Sequence, residues 1–196
     1  GFVAALVVGE LTSFCREYPE IELSFTTASK AFDLAKREAD IAIRTLGRGA
    51  TPPEYLIGRK LAPVVVANFV ATAHEDRLDP EIVGSSPRWI AFADRSNFEQ
   101  LVSGSGYPTV PPWGAFSSLE LLAQAACQGL GIAMLPTYVG DAEPALRRLK
   151  HAAPRHLADL WLLSHPDLRE NARIRAARAA IMDGFRRHER LFGGGS

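Results

Sequence analysis

Thr26, Thr27 and Ser29 place three hydroxyls within four residues, directly after an alternating apolar and polar run, Ile21 to Thr27, that reads as a β-strand. Arg44 and Thr45 end a second β-rich run that begins at Asp40. Ligands of open α/β sheets bind outside the carboxyl ends of the strands, so these positions suit the capture of a small polar molecule. A guanidinium there gives a bidentate, charge-assisted hold on a carboxylate, although a surface ion pair is the plainer role for Arg44. Farther along, Ser117 with Glu120 three residues later spells a capping box that opens a helix over 117–128. A helix start bearing the Ser117 and Ser118 hydroxyls attracts anions, and Ser117 equally serves as a cap alone. Phe92 falls at the end of the run Trp89 to Ala93, where it either walls an apolar part of a ligand or fills the core. His165 follows the run Leu160 to Leu163 and either faces ligand or caps the helix that Pro166 would open.

Reaction chemistry finds no support. Gly129-Leu130-Gly131 lies after a helix and before a strand, the reverse of the order that sets a phosphate on a helix N-terminus. Gly104-Ser105-Gly106 lacks the spacing and strand-turn-helix setting of a nucleophilic serine. His74, His151, His156, His165 and His188 offer no metal-ligating pair on one helix, and Cys15 and Cys127 sit apart in apolar helical patterns, as reduced core thiols do. The sequence therefore predicts no catalytic residue, no metal and no cofactor.

The elements that position these residues alternate between strand and helix. Val3, Val7, Leu11, Phe14 and Tyr18 recur at helical spacing until Pro19 forbids continuation. A helix over 31–38 joins the first two strands. Val64 to Val66, Trp89 to Ala93, Ile132 to Leu135 and Leu160 to Leu163 read as further strands. Residues 103–116 read as loop with at most an edge strand, and a last helix from Pro166 aligns Ile174, Ala177, Ile181 and Phe185 on one face. This order predicts an α/β fold with largely parallel sheets. Across 196 residues, 22 basic groups balance 22 acidic ones, which removes the usual electrostatic reason to hold nucleic acid. The arginines of the last helix mix with acids and read as a solvated face. No apolar run is long enough to span a bilayer and no secretory leader opens the chain, so the cytoplasm is expected. The start without Met and the Gly-rich end, 193–196, read as a fragment with a flexible tail.

Five segments then carry a resemblance across nearly the whole chain. They are Arg16 to Leu23 (REYPEIEL), Glu38 to Arg44 (EADIAIR), Ile57 to Leu61 (IGRKL), Leu121 to Pro136 (LLAQAACQGLGIAMLP) and Leu160 to Arg169 (LWLLSHPDLR). In this order and at these intervals they resemble the effector-binding domain of LysR-type transcriptional regulators. The resemblance implies two Rossmann-like lobes of the type 2 periplasmic-binding-protein kind, joined by two crossover strands, with a small effector in the cleft. Lobe I would take 1–66 and 162–192, lobe II 67–161, with 193–196 a tail. It implies effector contacts from Gly1 and Phe2, from Thr26, Thr27 and Ser29, from Arg44 and Thr45, from Phe92, from Ser117 and Ser118, and from Ser164 and His165. Family members begin with a strand before the first helix and carry an N-terminal helix-turn-helix; neither is in this sequence, so contact with DNA is expected only through that absent module. A homodimer or homotetramer is implied, without a membrane partner. A free-standing solute-binding protein of the same fold, and an enzyme using Asp40 or Asp94, are the rival expectations.

Overall fold

The computed structural model describes residues 1–27, 39–92 and 98–194, the last stretch without the side chains of 99–101. Ser29, the helix expected over 31–38 and the strand end at 93–94 lie outside the described residues. In chain order the elements are α1 (Phe2–Glu17), β1 (Ile41–Gly47), β2 (Ile57–Ala71), α2 (Glu75–Leu78), β3 (Trp89–Phe92), α3 (Phe98–Ser103), β4 (Pro112–Phe116), α4 (Leu119–Cys127), β5 (Ile132–Pro136), α5 (Thr137–Gly140), β6 (Leu146–Arg148), β7 (Arg155–Ser164), α6 (Ala172–Arg187) and α7 (Glu189–Phe192). They fall into two compact units: Gly1–Val64 with Leu157–Gly193, and Val65–His156 with Gly194–Ser196. Strands β2 and β7 each carry residues of both.

In the first unit, β1 runs antiparallel to β7 in a ladder from Ile41 opposite Ser164 to Gly47 opposite Ala158, and β7 is flanked on its other side by β2. Helices α1 and α6 pack on each other. Helix α1 buries Val7, Leu11 and Phe14, the i, i+4, i+7 stripe of an amphipathic helix. Helix α6 buries Ala177, Ile181, Gly184 and Phe185. Gly184 is required where Glu10 of α1 passes: a Cβ there would lie within 2.7 Å of the Glu10 Cδ. Glu10 also ion-pairs with Arg187. Phe192 of α7 stacks on Phe185 with ring centroids 5.2 Å apart and meets Phe2 edge-on at 6.3 Å.

In the second unit, β3 lies between β4 and β5, parallel to both, while β2 pairs antiparallel with β5 and β6. Phe69, Ile90, Leu122, Ala126, Ala133 and Leu135 form one buried cluster, with α4 supplying the helical share. Val70, Leu78, Trp89, Tyr107, Ile132 and Leu149 form another. The Gly129–Gly131 segment is a packing turn. Gly129 has φ +68°, Arg77 donates to its carbonyl at 2.8 Å, and Arg88 donates to the Leu130 carbonyl at 2.6 Å while stacking on Trp113.

Several expectations need correction. Residues 21–27 form no strand, despite the alternation of Ile21, Leu23 and Phe25; a period of two supplies a face but not a neighbouring strand to pair with. The sheet is mixed rather than largely parallel, because β7 and β2 reverse against β1 and β5. The α4 cap is Ser118, whose Oγ accepts from the Leu121 N–H at 3.2 Å, so the Ser117–Glu120 capping box does not form. Pro166 opens only a 3₁₀ turn, Pro166–Leu168; α6 starts six residues later, capped by Asn171, which accepts from the Arg173 and Ile174 N–H groups. Residues Pro112–Phe116 do form the edge strand allowed for.

Candidate functional site

The unit containing β1 holds most of the candidate side chains, and the β1–β7 ladder decides which of them can meet. Arg44 is not at a strand end: β1 continues to Gly47, leaving Arg44 in mid-strand opposite Trp161. Successive side chains of a strand point to opposite faces, so Arg44 shares a face with Ala42, Trp161 and Leu163, and Thr45 lies on the other with Ser164. Thr45 and Ser164 are further separated by the four residue steps of β1 from Ile41, which is opposite Ser164, to Thr45, about 13 Å along the strand. The antiparallel ladder thus disperses the set that the sequence placed together.

Ser164 and His165 have structural partners of their own. Ser164 is 1% exposed, and its Oγ accepts from Arg178 Nη1 at 2.8 Å. Burial, and then the neighbouring Arg59 guanidinium, push Arg178 below the usual arginine range, so this hydroxyl is an acceptor for a cation under electrostatic pressure. Arg178 is therefore the exception among arginines expected to form a solvated face. His165 caps the following turn, its Nδ1 accepting from the Asp167 N–H at 3.3 Å. Gly1 is the N-cap of α1, and Phe2 packs on Phe192. Thr26 and Thr27 are exposed and outside any strand.

Arg44 and Trp161 remain open. The Arg44 Nη2 and Trp161 Nε1 atoms are buried and have no hydrogen-bond partner among the described residues. Trp161 went unnoticed in the sequence, where it read as one apolar residue of a strand; only the register with β1 sets it directly opposite Arg44.

The other unit gathers Phe92, Ser117 and Ser118. Parallel β3 and β4 end together, with Phe92 opposite Phe116, and the chain then passes through Ser117 and Ser118 into α4. Phe92 is 52% exposed, so it walls the surface at the strand end rather than filling the core. Elsewhere in this unit Glu81 accepts hydrogen bonds from the Tyr107 hydroxyl and from the Lys150 and His151 N–H groups. Burial alone would raise the Glu81 carboxyl; these donors outweigh it and hold the group below the usual carboxylate range. Burial, then Glu81, raise the Tyr107 hydroxyl. Among the described residues no group of three His, Cys, Asp or Glu side chains could hold a metal ion, and no helix is long and apolar enough to cross a membrane.

The fold is α/β and of the type 2 periplasmic-binding-protein-like kind, and it brings Phe92, Ser117 and Ser118 together where β3 and β4 end and α4 begins. Residues 1–186 match the LysR substrate binding domain, and the chain belongs to that family. It is 29% identical over 144 residues to the HTH-type transcriptional activator AmpR of Enterobacter cloacae, a match covering 69% of this chain and 46% of the relative. The chain thus spans about half the length of that curated protein. The effector domain of AmpR from Pseudomonas aeruginosa superposes with a TM-score of 0.71 at 19% identity, covering 94% of this chain and 90% of that one. The regulatory domain of CrgA from Neisseria meningitidis gives 0.74 at 20% identity, covering 94% of both. The chain is an effector-binding domain of the LysR regulator class, and these matches do not favour a free-standing solute-binding protein.

Proposed function

We propose that the chain senses a small anionic metabolite on behalf of a cytoplasmic transcription regulator and catalyses no reaction. The observation that carries the reading is Arg44, a half-buried guanidinium whose Nη2 is sealed from water and has no acceptor among the described residues. An unmet charged donor inside a protein favours an anion. In the other unit, the start of α4 beside Phe92 offers a helix dipole for negative charge next to an aromatic surface, so Ser117, Ser118 and Phe92 stay among the proposed contacts. Thr26, Thr27, Ser29, Thr45, Gly1 and Phe2 remain proposed contacts from the family resemblance alone, and Ser164 and His165, which accept from Arg178 and from the Asp167 N–H, keep the hydroxyl proton and Nε2 for a ligand. Effector binding would shift the population of domain geometries and so alter how an N-terminal helix-turn-helix meets DNA.

Homo-oligomerisation belongs to the same proposal. Helix α1 exposes half of Val8, and with Leu11, Cys15, Leu23 and Phe25 it lines an apolar groove of about 430 Å³. Such a groove suits a second copy of this domain. Isothermal titration of candidate metabolites against the wild type and Arg44→Ala tests the site: a loss of affinity for anionic compounds is expected, and an unchanged affinity removes Arg44 from it.

A further inference from the structure

We propose that Arg44 and Trp161 together form a two-donor grip for the carboxylate of a monocarboxylic acid whose remaining carbon is apolar. The inference rests on the reading of Arg44 as an effector contact, and adds to it a second binding residue and a ligand class. Arg44 and Trp161 are directly opposite in the antiparallel β1–β7 ladder, so their side chains rise from one face with Cβ atoms about 5 Å apart. Arg44 Nη2 and Trp161 Nε1 are both buried, and neither has an acceptor among the described residues. Buried donors are nearly always bonded, so two adjacent vacancies of the same kind mark a place for an acceptor. Guanidinium and indole donate and cannot accept; they can satisfy neither each other nor a cation. One carboxylate supplies an oxygen to each donor and a charge to Arg44, which a neutral amide or alcohol does not.

The surroundings define the rest of the ligand. On the same face, toward one end of the ladder, lie buried Ala42 and Leu163 with Ala39 and Leu56 packed against them, while toward the other end the buried Asp159 is held by Lys60 at 2.8 Å. A second carboxylate or a run of hydroxyls would have to lose its water at the apolar end without replacement. Gly58 fixes the indole: a Cβ at that position would lie 2.5 Å from the Pro52 Cγ and 3.3 Å from the Trp161 Cε3, so the missing side chain leaves the ring its seat.

The test follows the indole N–H signals of the 196-residue chain by proton–nitrogen NMR during titration with hexanoate, with hexanamide as the neutral control. Trp89, whose Nε1 donates to the Tyr107 carbonyl at 3.3 Å, and Trp113, stacked by Arg88, serve as internal references. Hexanoate is expected to move the Trp161 signal downfield and saturably while the references stay in place. Arg44→Gln and Trp161→Phe are each expected to weaken the response or the binding by roughly tenfold or more, the worth of one hydrogen bond to a charged group. A Trp161 signal unmoved up to tens of millimolar hexanoate overturns the grip, and an equal response to hexanamide overturns the carboxylate assignment. Should Trp161→Phe fail to fold, the wild-type signal and Arg44→Gln decide. A silent Trp161 signal beside effector-dependent operator binding by the full-length regulator would remove the grip and leave the regulator reading standing. A moving signal with operator binding unchanged by any effector would uphold the grip and remove that reading.

Discussion

Ser164 is a proposed effector contact that already holds Arg178, and a double-mutant cycle measures how much the second role is worth. In Ser164→Ala the Arg178 guanidinium loses the acceptor at 2.8 Å and has only water to replace it, on a side chain already pressed by burial and by Arg59. A hydrogen bond to a charged group is worth about 1.5–3 kcal/mol; because Arg178 is only half-buried, the expected loss falls to about 1–2 kcal/mol. For a chain of this length each kcal/mol moves the midpoint by about 2–4 °C, so Tm should drop by about 2–8 °C. Arg178→Met removes the donor, the charge and the repulsion from Arg59 together, which makes its single value uninformative. The cycle of Ser164→Ala, Arg178→Met and the double variant cancels these extras and isolates the pair. Urea unfolding, with circular dichroism and tryptophan fluorescence required to coincide, supplies the four free energies. A coupling of about 1–2 kcal/mol is expected. A coupling below about 0.3 kcal/mol, the level at which distant sites add, would refute the pairing.

Glu81→Gln should lower Tm at neutral pH. Because the folded carboxyl titrates below its ordinary 4.5, the wild type's advantage is complete above that value and disappears as pH falls through the lower folded value, so melting curves of the two proteins should converge in acid and stay apart at pH 7. Convergence at neutral pH would deny the carboxylate its three donors. Val8→Glu, at a half-exposed position in the α1 groove, should leave Tm nearly unchanged and lower the sedimenting mass of any homo-oligomer; an unaltered mass excludes this face from self-association. Ser118→Ala should cost about 1 kcal/mol as a lost helix cap, while Ser117→Ala should cost almost nothing, and the reverse order in urea titrations would restore the cap to Ser117.

Elements with strong local signals were legible. Helix α1 needed only the Val7, Leu11, Phe14 stripe and Pro19, and β5 only a short apolar run closed by Pro136. Caps were misread by one residue at Ser117 and by six at Pro166, because several polar residues near a helix start compete and tertiary packing chooses among them. Strand β6 is three residues long and exists only because β2 offers it an edge, a fact no local window contains. The same limit governs the candidate site. Polar residues at presumed strand ends could be marked, but β1 runs on past Arg44 to Gly47, its pleat sets Arg44 and Thr45 on opposite faces, and Arg178 of α6 engages Ser164.

That dispersal narrows how an effector in the β1-bearing unit could act. An open pair of donors at Arg44 and Trp161 is a cost carried by the unliganded fold, since Arg44 Nη2 and Trp161 Nε1 are buried without a partner among the described residues. A ligand that meets both removes this cost and stabilises the liganded form by the usual mass-action relation. Trp161 stands on β7, four residues beyond Leu157, where that strand passes from one unit to the other. Arg44 belongs to β1, which lies wholly within its own unit. A carboxylate bound to Arg44 alone would act inside one unit, whereas one bound to both residues also restrains a strand that the two units share. Loss of either residue should therefore weaken binding, and loss of Trp161 should weaken the response further, because only Trp161 stands on the shared strand.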